Sequence, residues 1–571
     1  MEKIKKLKKI LIKEKLDGYL IPKNDEFFGE YISEYNDRLN FISNFTGSYG
    51  FALILKNKNY LFVDGRYTLQ AKNQSGNNFK ILTLPNKMPK DILKQKKISI
   101  GFDPKLFTKK TLSALFKKNK YILKPLVNNL IDNIWKRKIK RNRDKFFVLP
   151  EDSISEKYKS KVKKVTNYLK RKKSDFLFLT ASENNAWLLN IRGCDAKYTP
   201  IPTSYILIDK KNIKFFCHLE KITPSLKRKF KKIEFIDIKN CKKVLSKIQK
   251  RKFIIDKSSC SYFFEEIIRK NNKILDFNDP VYFLKAIKGK KEIENIKKIH
   301  IYDGVALTKY LFWLKKNFDK KNITEISASK KLLKLRKKNK KFKFSSFPTI
   351  SGSGPNGAII HYKASKKTNR KLKKGDIYLV DSGGQYEFGT TDVTRTISLK
   401  NSNKRIRDIF TRVLKGHIAV ANYKIKKNTS GSLIDNKARK YLIQIGLNYP
   451  HGTGHGVGYF LNVHEGPHAI SKNNKINLQE GMVVSNEPGY YEKNKFGIRI
   501  ENLIFVKKEK GKMNFENLTM APIDKDLIIE KNLNTNEKKW LNNYHKNVFE
   551  NLKTYMNKIE ILELQKACSA I

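Results

Sequence analysis

Five acidic or histidine residues between positions 381 and 501 constrain this chain of 571 residues more than any other feature of its sequence. Each stands beside a short β-prone run or a glycine-rich turn. A single residue of this kind usually belongs to a solvated loop or a cap. Together, these types in this order indicate one site that binds two metal ions. The five residues are Asp381, Asp392, His455, Glu487 and Glu501.

The first two aspartates occupy a predicted β-hairpin. Asp381 and Asp392 are eleven residues apart, with β-prone runs outside them and glycines between them. A turn near Tyr386 and Glu387 places the aspartates opposite one another, with their Cβ atoms within about 5 Å. We therefore expect the first carboxylate pair on this hairpin.

A second hairpin supplies the other carboxylate pair, because Glu487 and Glu501 flank a polar turn at residues 492–495. Two like charges 4 Å apart repel by roughly 4 kcal/mol at an effective dielectric of 20, so four carboxylates together bind protons or cations. Two divalent ions would neutralise them, and His455 adds one nitrogen ligand. This donor set suits Mn²⁺, Co²⁺ or Zn²⁺ in a dinuclear site better than a structural zinc site, which prefers cysteine and histidine.

Besides the five candidate metal segments, three further motifs are informative: Phe62-Val63-Asp64-Gly65-Arg66-Tyr67, Asn185-Ala186-Trp187-Leu188-Leu189-Asn190-Ile191-Arg192-Gly193 and Gly357-Ala358-Ile359-Ile360-His361-Tyr362. Together, these segments resemble the aminopeptidase P family, the Xaa-Pro aminopeptidases among the pita-bread metallopeptidases, and specifically its three-domain branch. The resemblance implies two creatinase-N-like α/β domains followed by a catalytic domain with a curved, mainly antiparallel sheet.

The family resemblance also implies roles for individual residues. The family's metal ligands fall on the five residues named above, with Asp392 and Glu501 bridging both ions. Glu487 would also carry a proton from the attacking water toward the leaving amine. Arg499, two residues before Glu501, resembles the arginine that orients an aspartate ligand. Of the possible metals, we expect two Mn²⁺ ions.

Three further histidines match residues that line the family's active site and contact the substrate or the tetrahedral intermediate. These are His361, His451 and His464, and we expect catalytic roles for all three and substrate contacts from His361 and His464. His468 fits an ordinary hydrogen-bonded polar residue. The resemblance alone also implies a homodimer formed through the catalytic domain, in which Arg66 would bind substrate in the active site of the partner subunit.

Charge and cysteine content bear on location and partners. The formal net charge is +68, from 121 Lys and Arg against 53 Asp and Glu. The lysines are spread along the chain, and the denser basic runs at residues 135–141 and 337–341 contain few aromatic residues, so we expect solvated surface and no specific nucleic-acid partner. No apolar run approaches the length that crosses a membrane, and no secretory signal is evident. Five cysteines without metal-type spacing indicate free thiols in the cytoplasm.

Three segments emerge along the chain: an α/β domain at residues 1–142, a second at 143–280, and a catalytic domain with a C-terminal helical extension at 281–571. The first two both begin with a helix, a strand and a turn, and look like distant copies of one unit.

Proline lacks an amide hydrogen and restricts its backbone, so a dedicated enzyme for the hydrolysis of its peptide bonds is chemically sensible.

The leading hypothesis is a metal-dependent aminopeptidase that cleaves the first residue from peptides with proline in second position, using water activated by the two metals. A prolidase-type Xaa-Pro dipeptidase is the nearest alternative, although roughly 280 residues precede the catalytic part. A third hypothesis, from another class, is a pita-bread module that binds without catalysis. The complete ligand set counts against that module.

Overall fold

The computed structural model describes residues 2–93, 97–117, 120–139 and 142–571. The chain forms two compact units. One comprises Met1–Leu149 and Lys157–Val281, and the other comprises Pro150–Glu156 and Tyr282–Ile571. Within the described residues, no helix has both the length and the apolar character that a membrane crossing requires.

The first unit opens with a six-stranded sheet of order β4-β3-β2-β1-β5-β6. Its first helix is amphipathic, since Ile4, Leu7 and Leu11 recur at helical spacing and are buried. The strands are β1 (Gly18–Pro22), β2 (Gly50–Leu55), β3 (Asn59–Asp64), β4 (Lys80–Leu84), β5 (Ser99–Phe102) and β6 (Ile122–Pro125), and the helices are α1 (Glu2–Lys13), α2 (Arg38–Ser43), α3 (Thr68–Ser75), α4 (Pro89–Ile92), α5 (Lys109–Leu115) and α6 (Leu130–Ile134).

A second six-stranded sheet follows, with the order β12-β11-β10-β8-β13-β14. A two-stranded ladder pairs β7 with β9. The strands are β7 (Phe147–Val148), β8 (Phe176–Leu179), β9 (Ile191–Arg192), β10 (Tyr205–Ile208), β11 (Ile213–Cys217), β12 (Ile233–Asp237), β13 (Lys252–Ile255) and β14 (Lys273–Asp276), and the helices are α7 (Tyr158–Arg171), α8 (Ser182–Leu189), α9 (Pro224–Lys229), α10 (Cys241–Ser246) and α11 (Tyr262–Asn271).

The two large sheets share one topology. Numbered within each sheet, both have the strand order 4-3-2-1-5-6. The senses also agree, because strands 1, 2 and 3 are antiparallel neighbours while strands 4, 5 and 6 each pair in parallel. The prediction that these segments are copies of one unit is therefore confirmed at the level of topology.

The second unit combines long helices with antiparallel strand ladders. The predicted fold class, two α/β domains followed by a pita-bread domain, is confirmed. The helices are α12 (Val281–Ala286), α13 (Lys290–Asn317), α14 (Glu325–Arg336), α15 (Lys404–Ala421), α16 (Gly431–Ile443), α17 (Thr535–Leu552) and α18 (Lys558–Cys568). The strands are β15 (Phe342–Ser345), β16 (Ile350–Ser353), β17 (Ile377–Ser382), β18 (Gly384–Tyr386), β19 (Gly389–Thr390), β20 (Val393–Ser398), β21 (Gly454–Gly456), β22 (Glu465–Ile470), β23 (Val483–Asn486), β24 (Gly489–Glu492), β25 (Phe496–Arg499), β26 (Asn502–Glu509) and β27 (Lys512–Asn517).

Alternation along β17 separates a helix-covered face from a polar face. Tyr378 and Val380 belong to a buried cluster with residues of α13 and α14. Successive side chains in a strand point to opposite faces, so Asp381 points away from those helices. The same rule places Thr394 of β20, which is directly paired with Asp381, on the polar face.

The back of β20 carries a buried arginine that ties the C-terminal segment to the sheet. The Arg395 guanidinium donates to the carbonyl oxygens of Glu501 at 2.7 Å, Ala521 at 2.8 Å and Pro522 at 3.0 Å. It also donates to the Tyr544 hydroxyl on α17 at 2.9 Å. Because these acceptors are carbonyl and hydroxyl oxygens, the charge is stabilised by the dipoles of Glu501 and of the last part of the chain.

Candidate functional site

The first ligand hairpin forms as predicted, but with a different register. Asp381 pairs with Thr394, so Asp392 lies two residues further along and is not directly opposite Asp381. The reason is the position of the turn: Tyr386 pairs with Gly389, which leaves Glu387 and Phe388 as the connecting residues. When a two-residue turn moves by one position along the chain, the residue paired with Asp381 changes by two positions, from Asp392 to Thr394. The side-chain period is also two, so both aspartates keep the same face.

The second hairpin has the register that the sequence predicts. β23 and β26 pair Asn486 with Asn502, and β24 and β25 pair Gly489 with Arg499. Both ladders follow one continuous register, which places Glu487 opposite Glu501 in the break between them. The two glutamates therefore face one another.

His455 on β21 joins the two hairpins. Its Nε2 lies 3.5 Å from Asp392 Oδ2 and 3.5 Å from Glu487 Oε1. Ligand atoms of Asp392, His455 and Glu501 all lie within 4.8 Å of one another, which is the spacing of a metal-binding cluster. The other ring nitrogen, Nδ1, lies 3.0 Å from the Gly456 carbonyl, an oxygen that only accepts. In the neutral ring the proton would therefore sit on Nδ1 and the Nε2 lone pair would face the carboxylates, as a metal ligand requires.

Asp381 provides an acceptor that the protein does not satisfy. Its Oδ2 accepts a hydrogen bond from Arg499 Nη2 at 2.6 Å. Its Oδ1 is buried and has no hydrogen-bond partner. Buried carboxylate oxygens are nearly always paired, so an orphaned one beside three other acids fits a group that receives a cation.

Burial and mutual repulsion change the protonation of this cluster. Burial raises the pKa of Asp381 to about 7 although Arg499 opposes the shift. Burial also raises the pKa of Glu487 and of Glu501, with the charge of Asp392 adding to both shifts. For His455, burial lowers the pKa, but the hydrogen bond to Asp392 and the charge of Glu487 outweigh it and bring the value to about 9. Asp381, Glu487 and Glu501 therefore bind protons more readily than exposed carboxylates do, and bound cations would replace those protons.

Two hydroxyl groups orient the glutamates, and sequence reasoning missed both. Thr394 Oγ1 donates to Glu501 Oε2 at 2.8 Å and accepts from Arg499 Nε at 3.1 Å. Ser485 Oγ donates to Glu487 Oε1 at 3.3 Å. Thr394 follows Asp392 by two residues on the same strand, so the strand period was the signal that could have found it.

His451 enters the site through a tyrosine that the sequence analysis also missed. The His451 Nε2 lies 2.9 Å from the Tyr491 hydroxyl, and that hydroxyl accepts from Arg499 Nη1 at 2.6 Å. The His451 Nδ1 lies 2.8 Å from the Gly452 carbonyl. Arg499 therefore contacts both Asp381 and the tyrosine that holds His451. Nothing in the sequence around Tyr491 marks it.

His464 lies against the metal cluster. Its ring meets that of His455 edge to face, with centroids 4.3 Å apart. The next residue, Glu465, is buried between Lys288 Nζ at 2.5 Å and Lys285 Nζ at 3.2 Å. These two buried ion pairs fix the start of β22 and with it the backbone of His464.

His361 follows a short 3₁₀ segment, Gly354–Ala358, that packs against β25. The backbones meet so closely that a Cβ built at Gly497 would lie 1.8 Å from the Gly357 carbonyl oxygen. Only glycine permits this approach. His361 itself is half-buried, and its loop lies beside the strand that ends at Arg499.

Two other residues considered in the sequence, His468 and Arg66, are not part of the candidate metal cluster. His468 is buried, its Nε2 is 2.9 Å from the Val483 carbonyl, and burial lowers its pKa to about 4. This agrees with the prediction of an ordinary hydrogen-bonded residue. Arg66 belongs to the first unit, where its guanidinium pairs with Asp64 at 2.6 Å.

Comparisons with family models cover nearly the whole chain. Residues 294–508 match metallopeptidase family M24, and residues 511–571 match the C-terminal region of peptidase M24. Residues 3–130 and 137–292 each match a creatinase/prolidase N-terminal domain. The duplicated sheet topology thus corresponds to two domains of related type.

Similar proteins carry consistent names. A probable Xaa-Pro aminopeptidase P from Laccaria bicolor is 37% identical over 95% of this chain and 89% of its own. One from Paracoccidioides brasiliensis is 36% identical over 98% and 97%. The crystal structure of X-prolyl aminopeptidase from Caenorhabditis elegans, described as a cytosolic enzyme with a di-nuclear active site, matches with a TM-score of 0.94 and 31% identity over 100% of this chain and 99% of that one. A prolidase from Pyrococcus horikoshii, at 26% identity and a TM-score of 0.52, covers only 64% of this chain and 99% of its own.

Proposed function

We infer the activity of this chain from its family: it belongs to the Xaa-Pro aminopeptidase P family of M24 metallopeptidases. We propose that it hydrolyses the first peptide bond of substrates whose second residue is proline. The observation that carries this proposal is the convergence of Asp392, His455 and Glu501 within 4.8 Å, in a chain that matches these relatives from end to end.

The proposed centre holds two divalent ions. Its ligands would be Asp381, Asp392, His455, Glu487 and Glu501, with Asp392 and Glu501 shared between the ions. The orphaned Asp381 Oδ1 and the oxygen-rich donor set with one imidazole fit this assignment. Mn²⁺ is the proposed metal, and Co²⁺ and Zn²⁺ fit the same donors. When bound, the ions supply a water that ionises near neutral pH and polarise the scissile carbonyl.

The protein side chains would handle the proton and the substrate. Glu487 would accept a proton from the attacking water and return it to the proline nitrogen that leaves, and the upward shift of its pKa on burial supports that role. His361 and His464 would donate hydrogen bonds to the substrate or to the developing oxyanion. His451 would support the site through Tyr491, and Arg499 would hold Asp381.

Several finer features are proposals of the same kind. A cytoplasmic location is supported by five free cysteines without metal-type spacing and by the Caenorhabditis elegans enzyme, which is described as cytosolic. A homodimer in which Arg66 reaches the partner's active site rests on family resemblance. The domain boundaries at residues 142 and 280 stay predictions, as does the absence of a specific nucleic-acid partner.

The alternatives are weaker. A prolidase would need only one domain before the catalytic part, whereas this chain has two sheets of the same topology there. The Pyrococcus horikoshii prolidase correspondingly covers 64% of this chain. A module that binds without catalysis has no need for the complete set of candidate ligands.

The activity can be tested with the purified full-length protein loaded with Mn²⁺. Arg-Pro-Pro and Arg-Pro are incubated separately, and release of arginine is followed by mass spectrometry, with metal content measured in parallel. We expect faster cleavage of the tripeptide and about two ions per chain. Preference for the dipeptide would indicate a prolidase, and no turnover by metal-replete protein would indicate a binding module.

A further inference from the structure

A buried glutamate outside the metal cluster organises the loop that carries His361. Glu325 is the first residue of α14, and none of its surface is exposed. Burying a carboxylate is costly unless donors or cations surround it. The groups around this carboxylate all come from one stretch of chain, residues 353–370.

Four donors from that stretch converge on the Glu325 carboxylate. The Ser353 N–H donates at 2.8 Å and the Arg370 N–H at 2.9 Å, so the two ends of the stretch meet on one side chain. The Asn356 amide donates at 2.9 Å, and the Tyr362 hydroxyl donates at 2.8 Å. These donors are neutral, and the N-terminus of α14 adds its favourable dipole. The Glu325 carboxylate therefore holds the two ends of the loop together.

The loop held in this way includes a residue of the proposed reaction. His361 is the immediate neighbour of Tyr362, whose hydroxyl contacts the carboxylate, and it follows the segment whose Gly357 packs against Gly497. The loop is thus attached both to the strand that leads to Arg499 and to Glu325, and Tyr362 also packs against Ile350 and Leu379. Loss of the Glu325 carboxylate would remove the hydrogen bonds that join the two ends of the loop to Asn356 and Tyr362.

We propose that Glu325 is a positioning residue for catalysis, which acts by holding the 353–370 loop so that His361 faces the substrate. This inference rests on the proposed function, because it assigns Glu325 a role through His361. It does not involve the metal ligands. Metal content should therefore be unaffected when Glu325 is changed.

The primary variant is Glu325→Gln, which keeps the shape but loses the charge and places an N–H where donors converge. The Glu325→Gln protein should cleave Arg-Pro-Pro with kcat/KM reduced about 10- to 100-fold, since small misplacements of a contacting group have effects of this size. Glu550→Gln, on an exposed ion pair of α17, is the matched control and should leave kcat/KM unchanged.

A double-mutant cycle separates positioning from general damage. If Glu325 acts through His361, Glu325→Gln should change kcat/KM by less than about 2-fold in a His361→Ala background. Independent effects that multiply would overturn the proposal. Failure of the proposed function is distinguishable, because the wild-type protein itself would then not cleave the peptide.

A second readout does not depend on activity. The loop carries Lys363, Lys366 and Lys367, all exposed, so trypsin can report its opening. Glu325→Gln should be cut at these lysines faster than the wild type and the Glu550→Gln control. If Glu325→Gln does not fold, Tyr362→Phe, which removes one donor, should show the same two effects at smaller size. Wild-type cleavage by trypsin together with wild-type kcat/KM in the folded variant would overturn the proposal.

Discussion

The two ligand hairpins hold their carboxylates by different means. In the first, Asp381 is oriented by the charged Arg499, which belongs to the second hairpin. In the second, Glu501 is oriented by the neutral hydroxyl of Thr394, which belongs to the first. Each hairpin therefore supplies the group that positions an acid of the other. Loss of either orienting group should therefore weaken metal binding at the whole site. The effect should be larger for Arg499, which is charged, than for Thr394, which is neutral.

The largest effect should come from a carboxylate at the centre of the cluster. Glu501→Gln removes one of the proposed shared ligands, and we expect bound metal to fall and kcat/KM to drop by about 10³-fold or more, because metal polarisation contributes several kcal/mol. Metal analysis and peptide cleavage measure both. Glu516→Gln, on neighbouring β27 and paired with surface lysines, is the control. Full activity of Glu501→Gln would contradict the site.

Arg499→Lys should have the next largest effect, and it should act across the hairpins. Lysine keeps a charge but cannot donate to Asp381, Thr394 and Tyr491 together as the planar guanidinium does. We expect metal affinity about 10- to 100-fold weaker, measured by competition with a chelating dye. Arg405→Lys, at an exposed pair with Glu492, should bind metal like the wild type. Equal affinities in the two variants would refute the cross-hairpin role.

Acidification should weaken metal binding by about tenfold per pH unit for each proton displaced. Burial raises the pKa of Asp381 from 3.8 to about 7. Between these values the folded, metal-free protein binds more protons than the unfolded chain, so its free energy of unfolding falls as pH rises through the window. Metal replaces those protons. The rise in melting temperature on adding Mn²⁺ should therefore grow from pH 5 to pH 8, and a rise independent of pH would contradict the assignment.

The smallest effect should come from Thr394→Val, which removes the hydroxyl that orients Glu501. Loss of a hydrogen bond to a charged group is worth about 1.5 kcal/mol, or roughly tenfold in metal affinity. Thr394→Ser keeps the hydroxyl and should restore most of the affinity, measured by the same dye competition. If Ser and Val weaken binding equally, the effect is one of packing and the comparison of hairpins fails.

Local sequence patterns predicted the segments of the site, whereas the fold class followed from the resemblance to a family. Glycines and β-prone runs around Asp381 and Glu487 were sufficient to place them on hairpins. The register of the first hairpin was wrong because the turn lies at Glu387 and Phe388, a one-residue difference that no local preference decides.

Contacts between residues far apart in the chain could not be predicted in this way. Tyr491 meets His451, and Glu325 meets the loop of His361, only because separate helices and strands bring them together. Neither Tyr491 nor Glu325 has a distinctive sequence environment. Thr394 is different, since its spacing from Asp392 already placed it on the same face.

The guanidinium of Arg395 has a consequence for shortened forms of the chain. Three of its acceptors, Ala521, Pro522 and Tyr544, lie in the segment that follows β27. A polypeptide ending before residue 521 would retain every candidate ligand and yet leave a permanent cation in its interior with missing oxygen partners, at a cost of several kcal/mol. Premature stop codons in this stretch should accordingly yield protein that cells degrade, and not a slower peptidase.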